Sequence, residues 1–162
     1  MKQFSVCTSV YRNDRPEHVR QAFDSLLSQT LPPDEVIVVI DGPVPPELRA
    51  VVDTYAGRYP VFRTIVFEEN RGLGAAMRVA VEAARYEIVA RMDSDDIAVP
   101  DRFEKQLAYL EAHPECDVLG GQIAEFIGDA AHVVGKRVVP CEHEEILMWL
   151  KGRCPFNHMS VT

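Results

Sequence analysis

The stretch YEIVARMDSDD, Tyr86 to Asp96, is the most informative in the chain. Its first part, Tyr86 to Met92, is rich in apolar residues and predicts a buried β-strand. Three aspartates, Asp93, Asp95 and Asp96, follow that strand directly. Carboxylates this close together repel one another unless a cation or hydrogen-bond donors offset their charge. We therefore interpret the cluster as a functional site, although Asp also favours solvated turns.

Strand patterns and helix patterns alternate before and after this stretch. The predicted strands are Phe4 to Val10, Glu35 to Asp41, Val61 to Glu68, Tyr86 to Met92 and Asp117 to Ile127. Apolar residues at helical spacing predict helices over Val19 to Leu27, Leu48 to Tyr55, Leu73 to Ala84 and Phe103 to Leu110. This alternation is typical of an α/β fold with a mostly parallel sheet flanked by helices.

The first helix carries explicit start and stop signals. Asp14 with Glu17 three residues later predicts a capping box around Pro16. The sequence Leu31-Pro32-Pro33 ends the helix, because a residue before proline is pushed out of the α region.

The pattern changes beyond Gly128. Residues His132 to Val139 predict an edge strand or hairpin arm. Residues Glu142 to Leu150 predict a short amphipathic helix with Ile146, Trp149 and Leu150 facing inward. The segment Lys151 to Thr162 begins as a loop and then predicts a further strand.

Composition excludes several classes of protein. The 162 residues carry a net charge of -8, and their basic residues are scattered, which argues against a nucleic-acid partner. The four cysteines form no metal-ligand spacing, so a reducing compartment is expected. Apolar runs are far shorter than the roughly 20 residues that span a bilayer. We expect a cytoplasmic protein, with peripheral attachment to the inner face of a membrane left open.

In a parallel sheet, the carboxyl ends of the strands lie on one edge, where ligands bind. We therefore expect Thr8 to Tyr11, Asp41, Asn70 to Gly72 and Asp93 to Asp96 to lie close together. Tyr11 could stack on a planar base, and Asp41 could accept hydrogen bonds from a base or a ribose. Each residue also has a structural interpretation, since a tyrosine often packs in the core and Asp-Gly often forms a turn.

The chain resembles the inverting glycosyltransferases of family 2, which have the GT-A fold. Three quoted segments carry the resemblance: FSVCTSVYRND (residues 4–14), SLLSQTLPPDEVIVVIDG (25–42) and EENRGLGAAMRVAVEAARYEIVARMDSDDIAVPDRFEKQ (68–106). The family implies a Rossmann-like fold and a nucleotide-diphospho-sugar donor. It also implies a saccharide or lipid-linked acceptor, and a role in polysaccharide or glycoconjugate biosynthesis.

The resemblance assigns roles to individual residues. It implies that the donor's nucleoside is held by Thr8, Tyr11, Asp41 and Asp93. The Asp93-Ser94-Asp95 sequence matches the family's D-x-D motif, which implies that Asp95, together with Asp93, holds Mn²⁺ or Mg²⁺ on the diphosphate. Arg71 and Arg78 match a stretch that approaches the donor phosphates. Asp96 and His158 are further candidates.

Transfer with inversion also needs a general base to take the acceptor's proton. In this family the base is an Asp downstream of the region that Asn157 to Val161 resembles, and no such acidic motif occurs before Thr162. We expect one GT-A domain over 1–162, with a donor-binding half at 1–128 and the start of an acceptor-side region at 129–162. The catalytic residue is then unknown, and this chain would bind donor but be deficient in transfer.

Two other classes of function stay open. Gly72-Leu73-Gly74 lies between a strand and a helix, as in an NAD(P)-dependent Rossmann oxidoreductase, and Asp93 falls near the place of a ribose-binding acid. Met77 takes the third glycine position, however, and Asp95 and Asp96 are left unexplained. The other class is a non-catalytic sugar-nucleotide-binding module. A sugar-1-phosphate nucleotidyltransferase would need a glycine-rich loop where this chain has Thr8 to Tyr11.

Overall fold

The computed structural model describes residues 2–162. The strands are β1 (Phe4–Val10), β2 (Glu35–Ile40), β3 (Phe62–Val66), β4 (Ile88–Arg91), β5 (Ile123–Phe126) and β6 (Val133–Arg137). The helices are α1 (Pro16–Leu27), α2 (Pro46–Arg58), α3 (Leu73–Glu82), α4 (Arg102–Ala112) and α5 (His143–Leu150), and a 3₁₀ turn follows at His158–Ser160.

The main sheet has four parallel strands in the order β3-β2-β1-β4. Val6 of β1 is paired with Val36 of β2 on one side and with Ala90 of β4 on the other. The chain therefore builds outward from β1 in one direction and then returns to its other side at β4. This reversal opens a crevice beyond the carboxyl ends of β1 and β4, the usual place for a ligand in an open α/β sheet.

Helices cover both faces of this sheet, as the alternating pattern predicts. One face carries Phe4, Val6 and Val10 of β1, which pack with the buried stripes of α1, α2 and α4. The other face carries Cys7 of β1 and Ile37 and Val39 of β2, which pack with Ala76 and Ala80 of α3. The α/β fold class predicted from the sequence is confirmed.

Two of the predicted helices bury fewer apolar residues than their spacing predicts. Leu73 and Val81 of α3 are 50% and 51% exposed, because the small side chains of Ala76 and Ala80 make the contact with the sheet. In α5 no residue is buried, and Leu150 is exposed. Ile146 and Trp149 are only partly covered.

The C-terminal part forms a separate two-stranded sheet. β5 and β6 pair in antiparallel fashion, which confirms the hairpin arm but shortens the strand predicted over Asp117 to Ile127. The further strand predicted near the C-terminus is reduced to an extended pair after the 3₁₀ turn. There the carbonyl of Val161 accepts a bond from Arg91 N (2.7 Å), and Thr162 exchanges two backbone bonds with Leu119 (2.8 Å each). Among the helices of residues 2–162, none has the length and apolar composition that a membrane crossing requires.

Candidate functional site

A cavity of about 390 Å³ lies at the carboxyl edge of the main sheet. Its volume falls in the range typical of small-molecule sites, about 300–1,000 Å³. The residues that line it are Ser9, Tyr11, Asp14, Asp41, Asn70, Gly72, Leu73, Asp93, Ser94 and Asp95. They come from the end of β1, from the loops that follow β1, β2 and β4, and from the start of α3 with the residues before it, so the predicted convergence of strand ends is present.

Asp41 organises one wall of the cavity. Its side chain is 4% exposed, and its carboxylate accepts bonds from Arg71 N (2.7 Å), Gly72 N (2.9 Å) and Asn70 Nδ2 (3.0 Å). The chain can approach this closely because Gly42 has φ +84°, and a Cβ there would lie 2.5 Å from the Asn70 backbone nitrogen. Asp41 therefore holds the start of α3 against the end of β2, whatever else it binds.

Asp14 lines the cavity, whereas the sequence predicts it as part of a helix cap. The predicted capping box is wrong, because Arg15 is the N-cap of α1 and no side chain caps the helix. Asp14 Oδ2 instead accepts bonds from the Ser94 hydroxyl (2.8 Å) and from Tyr11 N (3.1 Å). Its position two residues before a helix-starting proline offered the only local signal, and that signal fits a cap equally well.

The aspartates after β4 crowd negative charge at the cavity mouth. Burial, and then the charges of Asp95 and Asp93, raise the pKa of Asp96 to about 6, while Arg102 opposes the rise. Burial also raises the pKa of Asp14, with the same two aspartates adding to it. In the part of the chain that the structure describes, Asp93 has one ion-pair partner, Arg91, at 2.9 Å. This edge therefore carries more negative charge than the neighbouring protein groups neutralise.

The donor set fits a hard divalent cation in part. Asp93 and Asp95 line the cavity with carboxylate oxygens, the ligand type that Mg²⁺ and Mn²⁺ prefer. Within residues 2–162, no group of three or more His, Cys, Asp or Glu side chains is arranged to hold a metal ion. Such a site would therefore use one or two protein carboxylates, as Mg²⁺ sites with substrate phosphates do.

Several predicted site residues lie outside the cavity lining. Thr8 is 1% exposed, and its hydroxyl has no hydrogen-bond partner within residues 2–162, while its neighbour Ser9 lines the cavity. The Arg71 guanidinium lies 4.8 Å from the centroid of the Phe67 ring. Arg71 therefore contributes to the site through its backbone N–H, which donates to Asp41, and not through its charged group.

Three further candidates are also absent from the lining. Arg78 is exposed on α3. His158 is exposed, with Nε2 3.2 Å from Cys154 Sγ. Asp96 is partly buried and is not among the residues that line the cavity.

Comparison with known proteins agrees with this geometry. The family model described as glycosyl transferase family 2 matches residues 5–160. An uncharacterised glycosyltransferase of Haemophilus influenzae is 45% identical over 159 residues, 98% of this chain and 59% of that protein. The amylovoran biosynthesis glycosyltransferase AmsE of Erwinia amylovora is 40% identical over 98% of this chain and 58% of its own length.

A relative with a stated reaction is the UDP-Gal:alpha-D-GlcNAc-diphosphoundecaprenol beta-1,3-galactosyltransferase of Escherichia coli. It is 35% identical over 98% of this chain and 57% of its own length. The chain thus spans a little under three fifths of the length of these relatives.

Solved structures show the same fold. S. aureus TarS 1-349 in complex with UDP-GlcNAc superposes with a TM-score of 0.65 and 26% identity over 86% of this chain and 37% of that one. The mannosyltransferase PcManGT from Pyrobaculum calidifontis, in complex with GDP-Man and Mn²⁺, has a TM-score of 0.65 over 74% of this chain and 35% of its own. At 22% identity, that second likeness concerns the fold alone. The chain belongs to glycosyl transferase family 2 and has the GT-A fold.

Proposed function

We propose that this protein transfers a sugar from a nucleotide-diphospho-sugar to an acceptor hydroxyl with inversion at the anomeric carbon. The observation that carries the proposal is the cavity at the switch between β1 and β4, lined by Tyr11, Asp41, Asp93 and Asp95. One wall offers an aromatic ring that is 42% exposed, and another offers carboxylates. A nucleoside diphosphate has matching parts: a planar base, ribose hydroxyls and an anion that a cation can bridge.

Each cavity residue then has a distinct role. The Tyr11 ring stacks on the base, and Asp93 accepts hydrogen bonds from the ribose. The Asp41 carboxylate can accept more bonds than the three it receives from Asn70, Arg71 and Gly72. It therefore accepts a bond from the base and keeps those three. We keep Thr8 as a nucleoside contact through its unpartnered hydroxyl, which requires that the end of β1 adjusts on binding.

Asp95, with Asp93, would hold Mn²⁺ or Mg²⁺. When bound, that ion supplies Lewis-acid stabilisation of the charge that develops on the leaving diphosphate. Arg71 and Arg78 are proposed phosphate contacts, and both would have to turn toward the cavity from their exposed positions. The aspartates themselves repel a free diphosphate, so the proposal requires a cation for tight donor binding.

Inversion requires the acceptor hydroxyl to attack from the face opposite the diphosphate and to lose its proton to a general base. The cavity carboxylates lie on the donor side in this arrangement. We propose that the base belongs to a part of the protein that relatives carry beyond the matched region, and that 129–162 begins the acceptor side. A saccharide or lipid-linked acceptor fits the relatives, one of which is named for a GlcNAc-diphosphoundecaprenol substrate.

Calorimetric titration tests the donor site directly. The chain is titrated with UDP-, GDP- and dTDP-sugars and with NAD(H), each with and without Mn²⁺. We expect one class of sugar nucleotide to bind in the presence of Mn²⁺ and to bind at least tenfold more weakly in Asp95→Asn. Asp117→Asn, which removes an exposed aspartate outside the cavity, is the matched control and should bind as the unchanged chain does.

Two results would overturn the proposal. One is binding of NAD(H) in preference to every sugar nucleotide, which would favour the oxidoreductase. The other is donor binding that is indifferent to both Mn²⁺ and Asp95. Donor hydrolysis or transfer by a longer form of the protein, measured by release of nucleoside diphosphate, separates an enzyme from a binding module.

A further inference from the structure

We infer that Asp14 is a positioning residue of the donor site, which ties the loop after β1 to the loop after β4. This inference rests on the proposed function, because it concerns how two parts of one donor are held. The loop after β1 carries Tyr11, the proposed stacking partner of the base. The loop after β4 carries Asp93 and Asp95, which face the ribose and the diphosphate.

The contacts show a link between two otherwise separate loops. The β1–β4 backbone ladder ends with the bond from Met92 N to Cys7 O (3.0 Å). Among the hydrogen bonds of residues 2–162, the one that joins the two loops past this point runs from the Ser94 hydroxyl to Asp14 Oδ2 (2.8 Å). The link crosses 80 residues of sequence.

Asp14 is also fixed on its own side. Its backbone N–H donates to Tyr11 O (3.1 Å), and Tyr11 N donates to its carboxylate (3.1 Å). The two bonds close a tight turn that sets the direction in which the Tyr11 ring leaves the chain. Ser94 is therefore connected through Asp14 to Tyr11, the proposed partner of the base.

The electrostatics argue against a merely incidental carboxylate. Asp14 is half-buried and lies near Asp93 and Asp95, whose charges disfavour another negative group beside them. Ser94, its partner, is 7% exposed, so water competes little for the bond. A neutral side chain would avoid the repulsion, but it would not accept two bonds at one oxygen as strongly as a carboxylate does.

Hydrogen exchange tests the link without any ligand. In metal-free and nucleotide-free protein, we expect Ser94→Ala to speed exchange of the Tyr11 amide, which donates to Asp14, and Asp14→Ala to speed exchange of the Asp96 amide, which donates to Asp93 O (3.4 Å). Each rate should rise by roughly tenfold, the value of one hydrogen bond to a charged acceptor. Asp34→Ala is the matched control. Asp34 also accepts a backbone bond (Phe4 N, 3.1 Å) and a side-chain bond (Gln3 Nε2, 3.2 Å), but at the opposite edge of the sheet.

Donor binding tests the positioning. With the sugar nucleotide identified by the titration above and Mn²⁺ present, we expect Asp14→Ala and Ser94→Ala each to weaken binding by roughly tenfold. The double variant should be no weaker than Asp14→Ala alone, because both changes remove the same bond. Asp14→Asn, whose carbonyl oxygen still accepts, should recover part of the loss, and Asp34→Ala should bind normally.

The outcomes separate the two proposals. Unchanged exchange of the Tyr11 amide in Ser94→Ala and of the Asp96 amide in Asp14→Ala overturns the link, whatever binds. Faster exchange with unchanged donor binding, or strictly additive losses in the double variant, overturns the positioning role. If the unchanged chain binds no sugar nucleotide, the proposed function fails and the positioning role falls with it, while the exchange data still decide whether the link exists.

Discussion

The carboxylates at the two ends of β2 have several partners within the protein, whereas those in the loop after β4 have few. Glu35, at the start of β2, is 2% exposed and accepts bonds from the Ser5 hydroxyl (2.7 Å) and Arg85 N (2.9 Å). Arg63 lies 3.1 Å from its other oxygen. Asp41, which follows β2, accepts three bonds from the segment before α3.

The loop after β4 shows the opposite arrangement. Asp95 is exposed at the cavity, and Asp93 forms an ion pair with Arg91. Burial and the neighbouring aspartates raise the pKa of Asp96 to about 6. A buried carboxylate with several donors stabilises the fold. A group of carboxylates short of donors costs stability, and such a cost marks a place where a ligand supplies the missing charge.

The largest effect is expected at Glu35. Glu35→Ala leaves Ser5, Arg85 N and two arginines without their shared acceptor, and it should lower the free energy of unfolding by about 3 kcal/mol. Arg63 and Arg85 are partly exposed and regain water, which keeps the loss from being larger. Urea denaturation measures it. A loss under about 1 kcal/mol would break the comparison, because Glu35 would then be as dispensable as a surface acid.

The second effect concerns how closely the chain approaches the end of β2. Gly42 and Gly72 both have φ +84°, but a Cβ at Gly42 would meet backbone atoms of Glu69 and Asn70, whereas a Cβ at Gly72 would meet open space. Gly72→Ala should cost about 1–2 kcal/mol of backbone strain alone. Gly42→Ala should cost at least about 1 kcal/mol more, because the contact must also open. Equal losses of stability would show that the close approach of the Glu69–Asn70 backbone to Gly42 does not contribute to the fold.

The third effect should have the opposite sign. Asp95→Asn removes a charge from a crowded group, and in metal-free buffer it should raise the free energy of unfolding by about 0.5 kcal/mol. The same variant should lose the rise in melting temperature that Mn²⁺ with a nucleotide gives the unchanged chain. Asp117→Asn serves as the control for a change of net charge. Destabilisation by Asp95→Asn would place this aspartate with Glu35 as a structural group.

The smallest effect tests how tightly α3 packs on β1 and β2. Burial, with the negative charge of Glu35 adding to it, raises the pKa of the Cys7 thiol to about 12. At pH 8 the reactive thiolate is then roughly one part in 10,000, so iodoacetamide should spare Cys7 in the native chain. Exposed Cys141 and Cys154 are the internal controls and should react. Mass spectrometry that finds Cys7 labelled at their rate would show that this part of the sheet opens readily.

The sequence predicted the parallel sheet because its signals are local and repeated. Each strand is a short apolar run, each helix a stripe at helical spacing, and parallel strands must end on the same edge. That edge rule brought Tyr11, Asp41, Asp93 and Asp95 together from the pattern alone, and all four line the cavity. The family assignment, carried by segments in fixed order, is confirmed over residues 5–160.

Local patterns failed where a side chain has a choice of partners. Asp14 followed by Glu17 predicts a helix cap, but Asp14 bonds to Ser94, 80 residues away, because the parallel pairing of β1 and β4 brings the loops after them together. Ser9 and not Thr8 lines the cavity, since successive side chains of a strand face opposite sides. The sequence by itself thus determined the order of the elements and the edge that carries the site. The tertiary structure alone decided which polar groups are satisfied within the chain and which are left for a ligand, because hydrogen bonding and charge balance depend on distances that no local spacing encodes.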